Sequence, residues 1–150
     1  MPFSGRHSIS VTYETFHVNQ DKRTTRRKIG DVGEGVACRY LQKQGYGILE
    51  RNYLKPWGEI DIVAEKGNLL SFVEVKSVTR EPLGLVSRES IRPEENMHPG
   101  KVRRLHRAVQ TYLMDHNIPQ DRPWQIDLAC VFLDFSAKRA KVEMFENIML

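Results

Sequence analysis

Val32, Val36, Ala37, Tyr40 and Leu41 recur at helical spacing, and the pattern predicts a helix from Gly30 that stops at Gly45. Downstream the period shortens to two. Segments 47–53, 59–64 and 69–77 read as strands, with Pro56-Trp57-Gly58 and Glu65-Lys66-Gly67-Asn68 as the turns between them. Val102, Leu105, Val109, Tyr112 and Leu113 restore a helical stripe. Pro99 suits the first turn of that helix, and Asn117-Ile118-Pro119 stops it. Segment 124–134 is apolar almost throughout, as a central strand would be. In 141–146, Val142 and Met144 alternate with charged residues, the pattern of an edge strand. The order α-β-β-β-α-β-β makes this an α/β chain of the α+β kind. Two stretches carry no clear period. Residues 1–28 are polar and basic and read as a mobile arm; residues 79–97, with two prolines and many charges, read as a long loop.

A chain of 150 residues predicts one domain, here 29–150, which can bury about 68–70% of its unfolded surface without a disulfide or structural metal. There is no run of 18 apolar residues and no apolar signal-peptide stretch near residue 1. Cys38 and Cys130 sit among apolar neighbours, as small buried hydrophobes in a reducing cytoplasm would. The five histidines show no zinc-like spacing. No membrane partner is expected. The net charge of +4 permits a polyanionic one. The charge is uneven: Arg26, Arg27 and Lys28 close one basic run, and Arg103, Arg104 and Arg107 form another. Such runs are either solvated faces or phosphate contacts.

The sharpest signal is GEIDIVAEKGNLLSFVEVK, residues 58–76. Strand alternation puts Glu59, Asp61 and Val63 on one face and Ile60 and Ile62 on the other. In the next strand Phe72, Glu74 and Lys76 share a face. The short turn makes the strands an antiparallel pair, so Asp61 can lie near Glu74 with Lys76 beside them. Two carboxylates about 4 Å apart repel by roughly 4 kcal/mol at an effective dielectric of 20. A lysine offsets part of that, and a divalent cation offsets more. Mg²⁺ takes carboxylate oxygens and keeps several waters, often beside phosphates. The plainer reading is a salt-bridge ladder on a solvated sheet face. Glu34 falls about 20° from Leu41 on a helical wheel and could lean toward the sheet, or Asp31-x-x-Glu34 could be a capping box. Lys101 flanks the apolar stripe of the second helix and could reach the sheet end, or simply snorkel.

The order Glu34, Gly58-Glu59-Ile60-Asp61, Phe72-Val73-Glu74-Val75-Lys76, Lys101 resembles the PD-(D/E)XK nuclease superfamily. More narrowly the chain is similar to the YraN-like proteins, a bacterial family classed as endonuclease-like. The likeness runs through GDVGEGVACRYLQKQGYGILERNY, GEIDIVAEKGNLLSFVEVKSV, the second helix, the strand holding Asp127 and the terminal ENI, over about residues 29–148. The resemblance implies a restriction-endonuclease-like core, a central mixed sheet flanked by helices. It implies metal ligation by Asp61, Glu74 and the Val75 carbonyl, with Glu34 as a further acid at the metal or its water. Lys76 becomes the catalytic lysine. The chain departs from the pattern in its longer loop after Lys76, in Val78 where an arginine is common (Arg80 could substitute), and in its basic arm.

The first function expected is therefore a Mg²⁺- or Mn²⁺-dependent endonuclease acting on DNA, branched or damaged DNA among its substrates. Glu34, Asp61, Glu74, Lys76 and Lys101 would be its catalytic set. Arg26, Arg27, Lys28, Arg80, Arg103, Arg104 and Arg107 would hold the backbone. A homodimer would suit branched DNA, which presents two equivalent strands. The alternatives are a nucleic-acid-binding module with a vestigial nuclease site, and a protein-interaction adaptor using the sheet edge near residues 141–146.

Overall fold

Helix–strand alternation resolves into one sheet between two helices in the computed structural model, which describes residues 5–12, 25–79 and 97–148. In chain order the elements are β1 (Gly5–Thr12), α1 (Thr25–Lys43), β2 (Gly47–Lys55), β3 (Gly58–Lys66), β4 (Leu69–Thr79), α2 (Pro99–Asp115), β5 (Trp124–Asp134) and β6 (Arg139–Glu146). The sheet order is β1-β6-β5-β4-β3-β2. Only β4 and β5 pair in parallel among the described strands, and α2 lies in the connection between them, as a parallel pair requires.

Each helix is bounded by its own sequence. Pro99 opens α2, where a missing N–H costs nothing, and His98 Nδ1 accepts from Gly100 N at 3.1 Å. Both helices close with the same device. Gly45 (φ 93°) ends α1, with Tyr46 N donating to Leu41 O and Gly45 N to Gln42 O; Asn117 (φ 49°) ends α2, with Ile118 N donating to Leu113 O and Asn117 N to Met114 O. On one sheet face α2 buries Leu105, Ala108, Val109 and Tyr112 against Tyr53, Val63, Phe72 and Leu128. The Tyr112 ring meets those of Phe72 and Tyr53 edge-on at 5.4 and 5.2 Å. On the other face α1 buries Val36, Ala37, Tyr40 and Leu41 against Ile62, Val73, Ala129 and Val131.

Three expectations change. Helix α1 starts at Thr25 rather than Gly30, so Asp31 lies inside the helix and no capping box forms there. Arg26, Arg27 and Lys28 therefore belong to its first turn, not to an arm. Residues 5–12 likewise form β1, which pairs antiparallel with β6 from Gly5↔Glu146 to Thr12↔Arg139. That pairing is the physical reason that β6 is not an edge strand: its outer backbone groups are satisfied by β1. The edge proposed for an adaptor near residues 141–146 is thus covered. Within residues 79–97, Thr79 ends β4 and Met97 is buried; 80–96, including Arg80, lie outside the described residues.

Candidate active site

Antiparallel pairing of β3 and β4 runs from Lys66↔Leu69 to Ile62↔Val73, and one further step places Asp61 opposite Glu74. There the ladder stops. The Val75 N–H, instead of meeting the β3 backbone, donates to Asp61 Oδ2 at 2.8 Å. The strands part at this point, and a cleft of about 480 Å³ opens between them and the N-terminal half of α2. Asp61, Glu74 and Val75 line it with Lys101, Arg104 and the β2–β3 turn.

Glu74 is buried, and Lys101 Nζ forms an ion pair with its Oε1 from the first turn of α2. Lys101 thus reaches the sheet end. Lys76, two residues beyond Glu74 on β4, is exposed and does not line the cleft. Burial and then the neighbouring Glu74 carboxylate raise the Asp61 carboxyl well above the usual range, with the Val75 N–H opposing them. Glu34 is buried on the α1 side. Burial, reinforced by the Asp61 charge and opposed by Arg51, pushes it up to about 7.

The expected acids are thus brought together in two tiers. Asp61 and Glu74 share the cleft; Glu34 stands behind Asp61 and does not complete a three-acid cluster. Among the described residues no group of three or more His, Cys, Asp or Glu is placed to hold a metal ion by itself. The donor set still suits a hard cation. It offers two carboxylates whose mutual repulsion a cation would relieve, and it leaves other coordination positions to carbonyls, water or phosphate, as Mg²⁺ prefers.

The rim of the cleft is basic and aromatic. The Arg107 guanidinium lies 4.6 Å from the centre of the Trp57 ring, whose Nε1 donates to Thr111 Oγ1 at 3.2 Å. These contacts dock the β2–β3 turn onto α2. Gly58 makes the approach feasible: a Cβ there would sit 2.4 Å from the Arg104 carbonyl oxygen. Arg103, Arg104 and Arg107 are exposed, and Arg104 lines the cleft; Arg26, Arg27 and Lys28 do not.

Two residues of the sheet were given no role of their own from the sequence. Asp127 is buried on β5 and accepts from Ser71 Oγ, Gln125 Nε2 (3.0 Å) and Asn147 N (2.7 Å), so it ties down the C-terminal strand end. Asn52 adopts φ 53° within β2 and stands between Glu34 and Glu59. An asparagine inside an otherwise strand-like run was the available signal, because Asn is disfavoured in strands and tolerates left-handed backbone.

The raised carboxyls fix the sign of a pH effect. Glu34 and Asp61 hold protons in the folded chain at pH values where the unfolded chain has released them. In chelator, stability should be highest near pH 4.5 and should fall as pH rises toward about 7. Glu34→Gln should flatten that fall and, at pH 8, gain on the order of 2 kcal/mol after allowance for solvent screening. Urea unfolding at pH 5 and pH 8 measures it, and an unchanged pH slope would refute the assignment.

Comparison with known proteins gives one consistent result. The profile of an uncharacterised protein family, UPF0102, matches residues 33–131. A UPF0102 protein of Helicobacter hepaticus is 36% identical over 124 residues, 83% of this chain and 96% of the relative. One of Moorella thermoacetica is 37% identical over 123 residues, 82% and 96% of the two chains. One of Campylobacter jejuni is 33% identical over 119 residues, 79% and 91% of the two chains. The matched span holds the cleft carboxylates, Lys76, Lys101 and the α2 arginines; it leaves out β1 and β6.

Proposed function

The chain belongs to the UPF0102 family; from the cleft, and from the resemblance of its motifs to the PD-(D/E)XK nucleases, we propose a divalent-metal-dependent endonuclease that hydrolyses phosphodiester bonds in DNA. The observation that carries the reading is the opposed pair Asp61 and Glu74 at a parted strand end, with Lys101 on one carboxylate and Arg104 on the wall. A repulsive acid pair is costly as architecture. It is useful as a cation site.

Asp61, Glu74 and the Val75 carbonyl would hold Mg²⁺ or Mn²⁺. When bound, the ion supplies a water of lowered pKa and positive charge for the phosphate oxygens. Lys101 counters the Glu74 charge while the cleft is empty of substrate, and its ammonium is close enough to stabilise charge developing on a phosphate. Lys76, free of ion pairs among the described residues, can turn toward a nucleophilic water or a scissile phosphate at the cleft mouth. Arg103, Arg104 and Arg107 would hold the DNA backbone. Such contacts position without reading sequence, so sequence specificity should be slight.

The test is cleavage of linear, nicked and branched DNA with Mg²⁺, with Mn²⁺ and with chelator. No metal-dependent product on any substrate would leave the binding-module reading in its place. Binding itself is separable. Each phosphate contact contributes a slope of about −0.9 in log K against log salt for duplex DNA. Replacing Arg103, Arg104 and Arg107 together by Ala should flatten the slope by about 2 to 3, measured by fluorescence anisotropy across a salt series. An unchanged slope would make the cluster a solvated helix face.

A further inference from the structure

Asp61 faces Asn52 across the β2–β3 ladder. Arg51 pairs with Ile62 and Tyr53 with Ile60, so the position between them sets Asn52 opposite Asp61. Both strands are irregular at this one place. Asn52 has φ 53°, in the left-handed region that strand residues avoid. Across from it the side-chain alternation of β3 fails. Ile60 packs in the core under α2, whereas Ile62 packs in the core under α1. Residues two apart in a regular strand share a face. The backbone therefore turns over at Asp61, which is why the expectation of Ile60 and Ile62 on a common face does not hold.

The Asn52 side chain is committed too. Its amide group stands 2.8 Å from Glu34 Oε1 and 3.3 Å from Glu59 Oε1. Both are carboxyl oxygens placed as acceptors, and above the raised Glu34 value, as at pH 8, Glu34 carries no proton to donate, so the NH₂ is the end that meets them. One residue thus links α1, β2 and β3 behind the cleft.

We infer that Asn52 is a positioning residue: its left-handed turn lets β3 twist so that the Asp61 carboxylate enters the cleft, while its amide fixes Glu34 and Glu59 around that carboxylate. The inference rests on the proposal that Asp61 and Glu74 hold a metal ion. It makes Glu34 part of the support of the site, held at its place by an amide rather than by the cation. Outer partners of this kind orient ligands and set metal affinity.

Asn52→Gly is the informative variant. It keeps the left-handed backbone at no steric cost and removes only the amide, whereas Asn52→Ala removes the amide and adds strain. Urea unfolding in chelator at pH 8, for wild type, Asn52→Gly, Glu34→Ala and the double variant, reads the Asn52–Glu34 contact without metal or substrate. The cycle should show a coupling of about fivefold in the unfolding constant. Strictly additive effects would overturn the contact. Mn²⁺ titration by calorimetry should show affinity about 10- to 100-fold weaker in Asn52→Gly than in wild type, and weaker again in Asn52→Ala. Unchanged Mn²⁺ affinity in Asn52→Gly overturns the positioning role alone. A wild type that takes up no Mn²⁺ overturns the metal reading beneath it, whatever the cycle shows.

Discussion

Asp61→Asn and Glu74→Gln are each expected to lower metal-dependent DNA cleavage by on the order of a thousandfold while the circular dichroism spectrum stays unchanged. Each substitution keeps the shape of the side chain and removes one anionic oxygen donor. In chelator, Asp61→Asn should also melt at the same temperature as wild type or higher, because the repulsion between the facing carboxylates is gone. Mg²⁺ should raise the melting temperature of wild type and raise that of Asp61→Asn much less, since a ligand that binds only the folded state stabilises it. A salt-bridge ladder predicts the opposite. There, Asp61→Asn would lose stability and Mg²⁺ would act on both proteins alike. Lys76→Ala adds a further contrast. Because Lys76 is exposed and pairs with neither carboxylate, its loss should remove cleavage without weakening the Mg²⁺ shift. Melts and cleavage assays on the same four proteins decide between the two accounts.

Gly33→Ala is expected to destabilise the fold by about 3 kcal/mol, at the upper end of overpacking costs. A Cβ at Gly33 would lie 1.7 Å from Ser77 Oγ and 2.8 Å from Ser77 Cβ, where α1 crosses β4. No rotation of Ser77 clears the second contact. For a domain of this size that cost is a drop of roughly 10 °C in melting temperature. The clash names its own remedy. Ser77→Gly removes both offending atoms, so Gly33→Ala with Ser77→Gly should recover most of the loss. Ser77→Ala alone should be nearly silent, because the Ser77 hydroxyl is buried without a hydrogen-bond partner among the described residues. A Gly33→Ala protein that melts with wild type would show that α1 does not press on β4 as described. The neighbouring position gives the contact a functional side. Glu34 follows Gly33 on the helix, so displacing α1 here would also displace the acid behind the cleft.

Much of this arrangement was legible because short-range rules dominate it. The turn between β3 and β4 is so tight that its position alone fixes Asp61 opposite Glu74. Lys101 could be placed because Pro99 marks the start of its helix, and a helical period then sets its direction. The strand 124–134 was read to the residue, since an apolar run bounded by charged and turn residues has few other uses. The misses concern choices made at a distance. Nothing within 141–146 says that residues 5–12 will lie against it, because alternation with charged residues describes an edge strand equally well. The partner is more than a hundred positions away in sequence. The early start of α1 was hidden for a different reason. Its first turns carry Arg26, Arg27 and Lys28 and few apolar residues, so periodicity had nothing to count. The twist at Asp61 was hidden because strict alternation was assumed through a position where Asn52 breaks it.

The placing of β1 also sets an order of events. Among the described elements it is made first, and its partner β6 last. At 5–20 residues per second, roughly 6 to 25 seconds separate the synthesis of the two strands. For that interval β6 does not exist and β1 has no ladder to join. Closure then spans nearly the whole chain, the kind of contact that slows folding most. Strands β2, β3 and β4 can pair around the cleft carboxylates before β6 is made, and β1 and β6 then meet on the far side of the sheet. The carboxylate pair and its lysine therefore belong to the part that can form early, and the β1–β6 seam to the part that forms late.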